Sequence, residues 1–255
     1  MTDRPHAPAP EGAGFPWQTC LDLENQETAH YPDFVNAAIF DVIEGAPKRV
    51  LELGCAGGMF GSVLKARFPG ATVVGIEASR AAAAVAATRL DRVIRGRIED
   101  VDFAAQGFTP GEFDTVIAAD ILEHLVNPWQ LLVGLKPLLA PGAQVVASIP
   151  NVRNAILIAA LAVNGRWQYR ERGLLDITHL RFFTLEEIRR LFAETGYRYE
   201  KHVVNFSPPL LDVYRRNQGR GNVSLQLGRL ALADVTPEEL QELCAEQFVV
   251  RARPA

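Results

Sequence analysis

One stretch, Val50 to Gly58 (VLELGCAGG), constrains the fold of this chain more than any other. Val50, Leu51 and Leu53 form a short apolar run typical of a buried strand, and the glycines after it indicate a tight turn before the helix-like MFGSVLKARF. Glycine is needed where the backbone must adopt unusual angles or approach a ligand closely. The order strand, glycine turn, helix therefore predicts the nucleotide-type binding corner of a parallel α/β sheet.

The spacing and charge of this corner indicate what kind of ligand it binds. Gly54, Gly57 and Gly58 follow neither the GxGxxG order of dinucleotide-binding proteins nor the GxxxxGK[ST] order of phosphate loops. Glu52, two positions before the first glycine, would repel a phosphate and attract a cation. The corner is therefore expected to bind a ligand that carries positive charge.

The motif ELGCAGG resembles the first motif of class I S-adenosylmethionine-dependent methyltransferases. The resemblance implies a Rossmann-like methyltransferase fold, an α/β, doubly wound, seven-stranded and mostly parallel sheet with strand order 3-2-1-4-5-7-6. It also implies that the acidic strand residue lies near the ammonium end of the cofactor and that the glycines pass under its methionine and ribose portions. The residues predicted to bind S-adenosylmethionine here are Glu52, Gly54, Cys55, Gly57 and Gly58.

Composition limits the class of protein. The chain has 255 residues, of which 48% are hydrophobic and 22% charged, so it can bury one large core. We expect residues 1–16, rich in Pro, Ala and Gly, to be a flexible tail and residues 17–255 to be a single domain. A net charge of −4 disfavours nucleic acid as a partner. Three scattered cysteines and no apolar segment long enough to span a membrane favour a cytoplasmic protein.

The next two strands are predicted to carry more of the cofactor site. The second strand ends at Glu77, where an acidic residue can accept hydrogen bonds from both ribose hydroxyls. A third strand is expected over 92–98. The family often has an acidic residue there that binds the adenine amino group, but Arg97 occupies that position, so Ile98 and Glu99 are expected to make the adenine contact.

A second cluster follows the fourth predicted strand, 113–119. If a helical turn starts at Asp120, then Asp120, Glu123 and His124 project from one side of it, just outside the carboxyl ends of the strands. The cluster resembles the E-x-x-E-H set that takes part in metal binding in ubiquinone-pathway O-methyltransferases and small-RNA 3′-end methyltransferases. His179, in THLRFFT, fits the place of those families' further histidine. The resemblance implies that these four residues bind Mg²⁺, Mn²⁺ or Fe²⁺, with Zn²⁺ also suited, and that Asp120 also borders the cofactor.

Two other interpretations of this cluster stay open. His124 or His179 can act without a metal, as the general base that takes the proton from an acceptor hydroxyl. Alternatively, the segment merely caps a helix, with Glu123 and His124 in contact with solvent.

The acceptor is expected to bind near two less regular segments. Trp167, Tyr169 and nearby arginines within about 155–180 indicate a lid or substrate segment, and 207–235 is a polar, turn-rich insertion that borders the substrate or a partner. GLLDITHLRFFTLEEIRRLF is similar to a segment of methyltransferases in polysaccharide and other sugar-modifying pathways, which favours methylation of a sugar or glycan hydroxyl. The alternatives are an O-methyltransferase of a phenolic or quinone-type small molecule and a cofactor-binding partner protein without transferase activity.

Periodicity and capping residues predict the remaining elements. They are helices over 33–44 and 80–90, after Asn127, after Thr184 and over 237–245, a strand over 144–150, and a final antiparallel pair over 197–206 and 247–253.

Overall fold

The computed structural model of the chain describes residues 34–255, so the predicted tail, residues 1–16, lies outside the described residues. Every expected strand from the glycine corner onward is present, and two further strands form a hairpin. The strands of the described residues are β1 (Arg49–Leu53), β2 (Thr72–Glu77), β3 (Arg92–Arg95), β4 (Phe113–Ala119), β5 (Leu139–Pro150), β6 (Tyr197–Phe206), β7 (Val223–Leu227), β8 (Leu230–Val235) and β9 (Ala245–Pro254).

Seven of these strands form one sheet in the order β3-β2-β1-β4-β5-β9-β6. The first five pair in parallel, and β9 is inserted antiparallel between β5 and β6. When the hairpin strands β7 and β8 are left out, β9 is the seventh strand of the sheet. The predicted order 3-2-1-4-5-7-6 is therefore confirmed.

Helices cover both faces of the sheet, as burial on both sides of parallel strands requires. The side chains of β1 alternate: Leu51 and Leu53 belong to the core on one face, whereas Val50 belongs to the core on the other face, the side on which Glu52 also points. The α-helices of the described residues are α1 (Ile39–Val42), α2 (Met59–Arg67), α3 (Arg80–Ala86), α4 (Pro128–Leu135), α5 (Ala155–Asn164), α6 (Leu185–Glu194), α7 (Pro208–Asn217) and α8 (Pro237–Cys244).

Short polar side chains begin several helices as expected. The Asn127 side chain accepts a hydrogen bond from the Gln130 amide at the start of α4, and Thr184 does the same for Glu187 in α6. Before α8, Thr236 and Glu239 form a reciprocal capping box. These caps place the helix starts where the sequence predicts them.

Several predicted boundaries were wrong. The helix expected over 33–44 is only Ile39–Val42, because Ile43 already has an extended conformation. The helix over 80–90 ends at Ala86 and continues as turns. The third strand ends at Arg95, which lies opposite Glu77, the last residue of its partner β2. The fifth strand starts five residues earlier than 144, at Leu139, which pairs with Phe113.

The segment 207–235 contains regular structure that turn-rich composition does not predict. It forms α7 and the antiparallel hairpin of β7 and β8, which pack with α5 and α8. Together they bury a small apolar core apart from the two faces of the sheet. Its buried members, which we call the third core, are Ala155, Leu210, Leu225, Val235, Leu240, Leu243 and Cys244.

Within residues 34–255, no helix combines the length and the apolar character that crossing a bilayer demands.

Candidate active site

The glycine corner has the backbone that its sequence predicts. Gly54 has φ +65°, and a Cβ there would lie 2.9 Å from Cδ1 of Ile121, so only glycine fits. Ala56 and Gly58 also have positive φ, of 46° and 73°. The turn is therefore tightly folded between β1 and α2. Gly54 lies against Ile121, the residue that follows Asp120.

Glu77, the predicted ribose ligand, is buried at the end of β2. Its Oε2 accepts a hydrogen bond from the Ala56 amide at 2.8 Å, and its Oε1 accepts one from the Ser79 amide at 2.7 Å. Burial raises the pKa of this carboxyl, and the amide hydrogen bonds oppose that effect. Glu77 thus ties the glycine corner to the start of α3, and a carboxylate keeps further lone pairs for hydroxyl donors.

Glu52 lies beneath the first turns of α2, with 4% of its surface exposed. Its Oε2 has no hydrogen-bond partner, and the amide of Gly61 offsets only part of the burial penalty. Burial therefore raises the pKa of Glu52 to about 8, and the nearby Glu77 adds to the increase. A buried carboxyl with one unpartnered oxygen fits a ligand whose positive charge would favour its ionised form.

Cys55 contributes to the corner through its backbone. Its amide donates to the carbonyl of Ile76, and its carbonyl accepts from the amide of Gly58. The side chain points into the core, where a Cβ on Gly75 would lie 2.5 Å from Cys55 Sγ. Any contact of Cys55 with a cofactor is therefore restricted to main-chain atoms.

The predicted adenine residues follow β3 in a 3₁₀ turn, Ile98–Asp100. Ile98 is buried in the core, whereas Glu99 is exposed and its Oε1 accepts a hydrogen bond from the Asn127 amide at 2.9 Å. Glu99 therefore connects this turn to the start of α4, and its contact with adenine remains a prediction.

Asp120 differs from the sequence-based expectation. It has a left-handed backbone with φ 50°, and the helical turn starts two residues later as the 3₁₀ turn Leu122–His124. Asp120, Glu123 and His124 therefore do not project from one helical face. Asp120 Oδ1 instead accepts a hydrogen bond from Gln247 Nε2 at 2.9 Å. Burial raises the pKa of Asp120 to about 6, although its hydrogen bonds to Ser148 and Gln247 lower it.

Gln247 belongs to a polar network that sequence reasoning missed. Its Oε1 accepts hydrogen bonds from Asn36 Nδ2 at 2.6 Å and from Asn205 Nδ2 at 2.7 Å. The Asn205 amide also donates to Asn36 Oδ1 at 3.1 Å. The network joins the segment before α1 to β6, β9 and Asp120, and no local motif marks its members.

Glu123, His124 and His179 do come together. The amides of Leu180 and Arg181 both donate to the carbonyl of Glu123, which holds the downstream segment against the 3₁₀ turn. The rings of His124 and His179 contact edge to face with centroids 4.7 Å apart. His179 Nε2 lies 3.9 Å from Glu123 Oε1, too far for a direct hydrogen bond.

Burial controls the charges in this cluster. Glu123 has 1% of its surface exposed, and neither carboxyl oxygen has a hydrogen-bond partner. Its pKa is raised well above the ordinary value by burial and by the negative charges of Asp120 and Asp176. Burial lowers the pKa of His124 to about 4 and also lowers that of His179. Both imidazoles are therefore neutral at pH 7, so the interpretation of Glu123 and His124 as solvated capping residues does not fit the structure.

The cluster fits a divalent cation in its donor set. One ligand atom each from Glu123, His124 and His179 lie within 4.8 Å of one another. Two neutral imidazoles and an unpartnered carboxyl form a three-residue set that leaves coordination positions open. Asp120, the fourth predicted ligand, is not in this group and has its Oδ1 on Gln247.

The loop between α5 and α6 covers this cluster with aromatic side chains. Trp167 and Phe182 contact edge to face with ring centroids 5.2 Å apart, and the Phe182 ring lies 6.3 Å from that of His179. Arg166, Arg170 and Tyr169 on the same loop are exposed. The role of this loop as a lid or substrate segment remains a prediction.

Comparison with known proteins agrees with this geometry. A family model described as a methyltransferase domain matches residues 24–202. The ubiquinone biosynthesis O-methyltransferase of Thiobacillus denitrificans is 33% identical over 176 residues, which cover 67% of this chain and 73% of that protein.

Solved structures share the fold at lower identity. An S-adenosylmethionine-dependent methyltransferase from Thermotoga maritima superposes with a TM-score of 0.55 and 17% identity over 86% of each chain. The plantazolicin methyltransferase BpumL in complex with S-adenosylhomocysteine gives 0.53 and 19%, over 85% of this chain and 80% of that one. The resemblance inferred from ELGCAGG is thus confirmed, together with the expectation of an enzyme. The chain belongs to the class I S-adenosylmethionine-dependent methyltransferases.

Proposed function

We propose that this enzyme methylates a hydroxyl group of a phenolic or quinone-type small molecule. The observation that carries the proposal is the position of the histidine cluster next to the glycine corner. Ile121 packs against Gly54, and Glu123 and His124 follow within the next turn. A hydroxyl held at the histidines is thereby close to the predicted donor site at the carboxyl ends of β1 and β4.

The cofactor supplies an activated methyl group, so the main task of the protein is to align the acceptor oxygen with it. The positive-φ turn at Gly54 and Gly58 leaves room for close approach of a ligand to the backbone, and Glu77 offers its carboxylate to ribose hydroxyls. Glu52 supplies a buried negative charge when ionised. In this proposal, these residues bind the methyl donor and the histidines bind the acceptor.

His124 and His179 prepare the acceptor. A neutral imidazole can take the hydroxyl proton as the oxygen attacks, and the neutral state of both rings at pH 7 suits that role. If a divalent ion is bound, Glu123, His124 and His179 are the residues that hold it, and it would lower the pKa of a coordinated hydroxyl. Two nitrogen donors favour Mn²⁺, Fe²⁺ or Zn²⁺ over Mg²⁺, which prefers oxygen.

Two observations support an aromatic acceptor. Relatives that are 33–34% identical to this chain are named ubiquinone biosynthesis O-methyltransferases. The ring of Phe182 lies 6.3 Å from that of His179 and contacts the ring of Trp167, so a planar substrate at His179 can pack against an aromatic side chain. A sugar or glycan acceptor is the second candidate, favoured by the exposed Arg166, Arg170 and Tyr169 on the same loop.

The test compares the two acceptor classes directly. Release of S-adenosylhomocysteine is measured with a panel of catechols and a panel of methyl glycosides, with and without Mn²⁺, after treatment with a chelator. Turnover with catechols that falls on the order of 10² to 10⁴-fold in His124→Ala supports the proposal. His202→Ala, on β6 and outside the cluster, is the matched control and should keep wild-type turnover.

Turnover with glycosides alone would assign the acceptor to the second class. Full catechol turnover in both His124→Ala and His179→Ala would exclude the proposed role of the cluster. Turnover that requires Mn²⁺ and is lost in Glu123→Gln would favour the metal-assisted form, whereas turnover unaffected by the chelator would favour the general base.

A further inference from the structure

The ring of His124 is held from one side by the loop residue Thr178. His124 Nδ1 lies 2.9 Å from Thr178 Oγ1 and 3.3 Å from the carbonyl oxygen of the same residue. Thr178 is itself bound twice by Asp176, whose Oδ1 accepts hydrogen bonds from the Thr178 hydroxyl at 2.6 Å and from its amide at 2.8 Å. The three side chains therefore form a chain from Asp176 through Thr178 to His124.

The direction of these hydrogen bonds follows from counting protons. A threonine hydroxyl has one proton, and at 2.6 Å that proton is donated to the Asp176 carboxylate. The Thr178 carbonyl has no proton to donate. Both groups that face His124 Nδ1 are therefore acceptors, so Nδ1 must be the donor. A neutral imidazole has one N–H, which leaves a lone pair on Nε2.

We propose that Thr178 and Asp176 are positioning residues that hold His124 as its Nδ1–H tautomer and so present its Nε2 lone pair to the acceptor hydroxyl or to a divalent ion. The inference rests on the proposed function of His124 and adds the residues that orient it. Asp176 lies outside the Glu123, His124 and His179 group, and Thr178 stands between Asp176 and the His124 ring, so both act through His124. Hydrogen bonds to the second ring nitrogen commonly fix tautomer and orientation in this way.

His179 provides an internal control. Its Nδ1 lies 3.3 Å from the carbonyl oxygen of Leu174, which can only accept, so His179 is also an Nδ1–H tautomer. That tautomer depends on a backbone group. Substitution of the Thr178 side chain should therefore alter the ring of His124 and leave the ring of His179 unchanged.

NMR spectroscopy measures the tautomer of His124 directly. Full-length protein labelled with ¹⁵N in its histidine rings is studied by long-range ¹H–¹⁵N correlation at pH 7.5, with His124→Ala and His179→Ala used for assignment. Wild type should show His124 protonated at Nδ1. Thr178→Val, which is similar in shape but lacks the hydroxyl, leaves Nδ1 only the longer contact with the carbonyl of residue 178, at 3.3 Å, so a fraction of the Nε2–H form should appear beside the Nδ1–H form. Thr178→Ser, which keeps the hydroxyl, should match wild type.

Asp176→Ala is a second, independent variant. Without Asp176, the Thr178 hydroxyl is free to donate to Nδ1, so the Nε2–H form of His124 should again increase. Titration with S-adenosylhomocysteine checks that each variant is folded and binds the product with wild-type affinity. With a catechol acceptor, kcat should fall about 10 to 100-fold in Thr178→Val while the KM for the methyl donor stays within about twofold.

Two results would overturn the inference: a wild-type His124 protonated at Nε2, or wild-type ring spectra in both Thr178→Val and Asp176→Ala. Because the tautomer is measured without turnover, these outcomes are separate from a failure of the proposed function. That failure would show instead as full activity of His124→Ala.

Discussion

Gly61 in α2 lies directly against Glu52 in β1: a Cβ on Gly61 would be 2.5 Å from Glu52 Oε2. The added Cβ would also lie 2.6 Å from Cδ2 of Leu90. The first turns of the helix therefore pack closely on a buried carboxyl, and the glycine is required by this approach and not by its backbone angles. Two predictions follow from this contact.

Gly61→Ala should destabilise the protein by about 1–3 kcal/mol, because the added methyl overpacks a region where Glu52 and Leu90 have little room to move. Urea denaturation measures the change. Gly134→Ala is the matched control, since Gly134 is an exposed glycine in α4 where an added Cβ would meet open space. That variant should gain about 0.5–1 kcal/mol from helix propensity. Equal effects of the two substitutions would contradict the close packing at Gly61.

The stability of the protein should fall as pH rises toward 8, and Glu52 should contribute to the fall. The pKa of Glu52 is about 8 in the folded protein, above its ordinary value of 4.5, so the folded state holds this proton more tightly. The stabilisation is fully present below pH 4.5 and is lost as pH rises through 8. Its size is on the order of a few kcal/mol.

Urea denaturation of wild type and Glu52→Gln between pH 5 and 8.5 measures this contribution. The free energy of unfolding of the variant should decrease less with pH, because its amide does not ionise. Glu186→Gln, at an exposed position of α6, should keep the wild-type slope. Parallel curves for wild type and Glu52→Gln would show that Glu52 is ionised throughout this range.

Glu77→Gln should weaken the binding of S-adenosylhomocysteine about 10 to 100-fold. The amide keeps one acceptor oxygen and presents a donor NH2 in place of the other, so one of the two hydrogen bonds from the Ala56 and Ser79 amides is lost together with the charge. Isothermal titration measures the affinity. His124→Ala should bind the product as wild type does, because the proposed function assigns His124 to the acceptor. Comparable losses in both variants would refute this division of roles.

Gln247→Leu should destabilise the protein by about 1–3 kcal/mol. The substitution removes the Gln247 acceptor from the side-chain amides of Asn36 and Asn205, and it removes the Gln247 donor from Asp120 Oδ1. Gln226→Leu, at an exposed position of the hairpin, is the control and should change stability by less than about 0.5 kcal/mol. A Gln247→Leu variant as stable as the control would mean that water replaces the network without cost.

Local patterns predict the backbone of the glycine corner and the position of Glu77 well. The apolar run before Gly54, the glycines themselves and the acidic residue that ends β2 are all adjacent in the chain, and the strand order follows from the family they indicate. The Glu123, His124 and His179 set was also found, because the two histidine segments carry recognisable motifs.

The polar network around Gln247 and the turn at Asp120 could not be predicted from local sequence patterns. Asn36, Asn205 and Gln247 meet only because β9 inserts antiparallel between β5 and β6, and an asparagine or glutamine in a strand has no distinctive pattern. The left-handed backbone of Asp120 depends on its hydrogen bonds to Ser148 and Gln247, which lie far along the chain. A single sequence favours a helical start there, since aspartate commonly begins helices.

The third core has an evolutionary consequence. Nearly all of its residues follow position 202, where the match to the methyltransferase family model stops, and they bury one another away from the two faces of the sheet. Substitutions in such a separate core combine almost independently with those around the glycine corner. Selection can therefore remodel this part of the molecule from one lineage to the next while the ancestral donor chemistry is inherited unaltered.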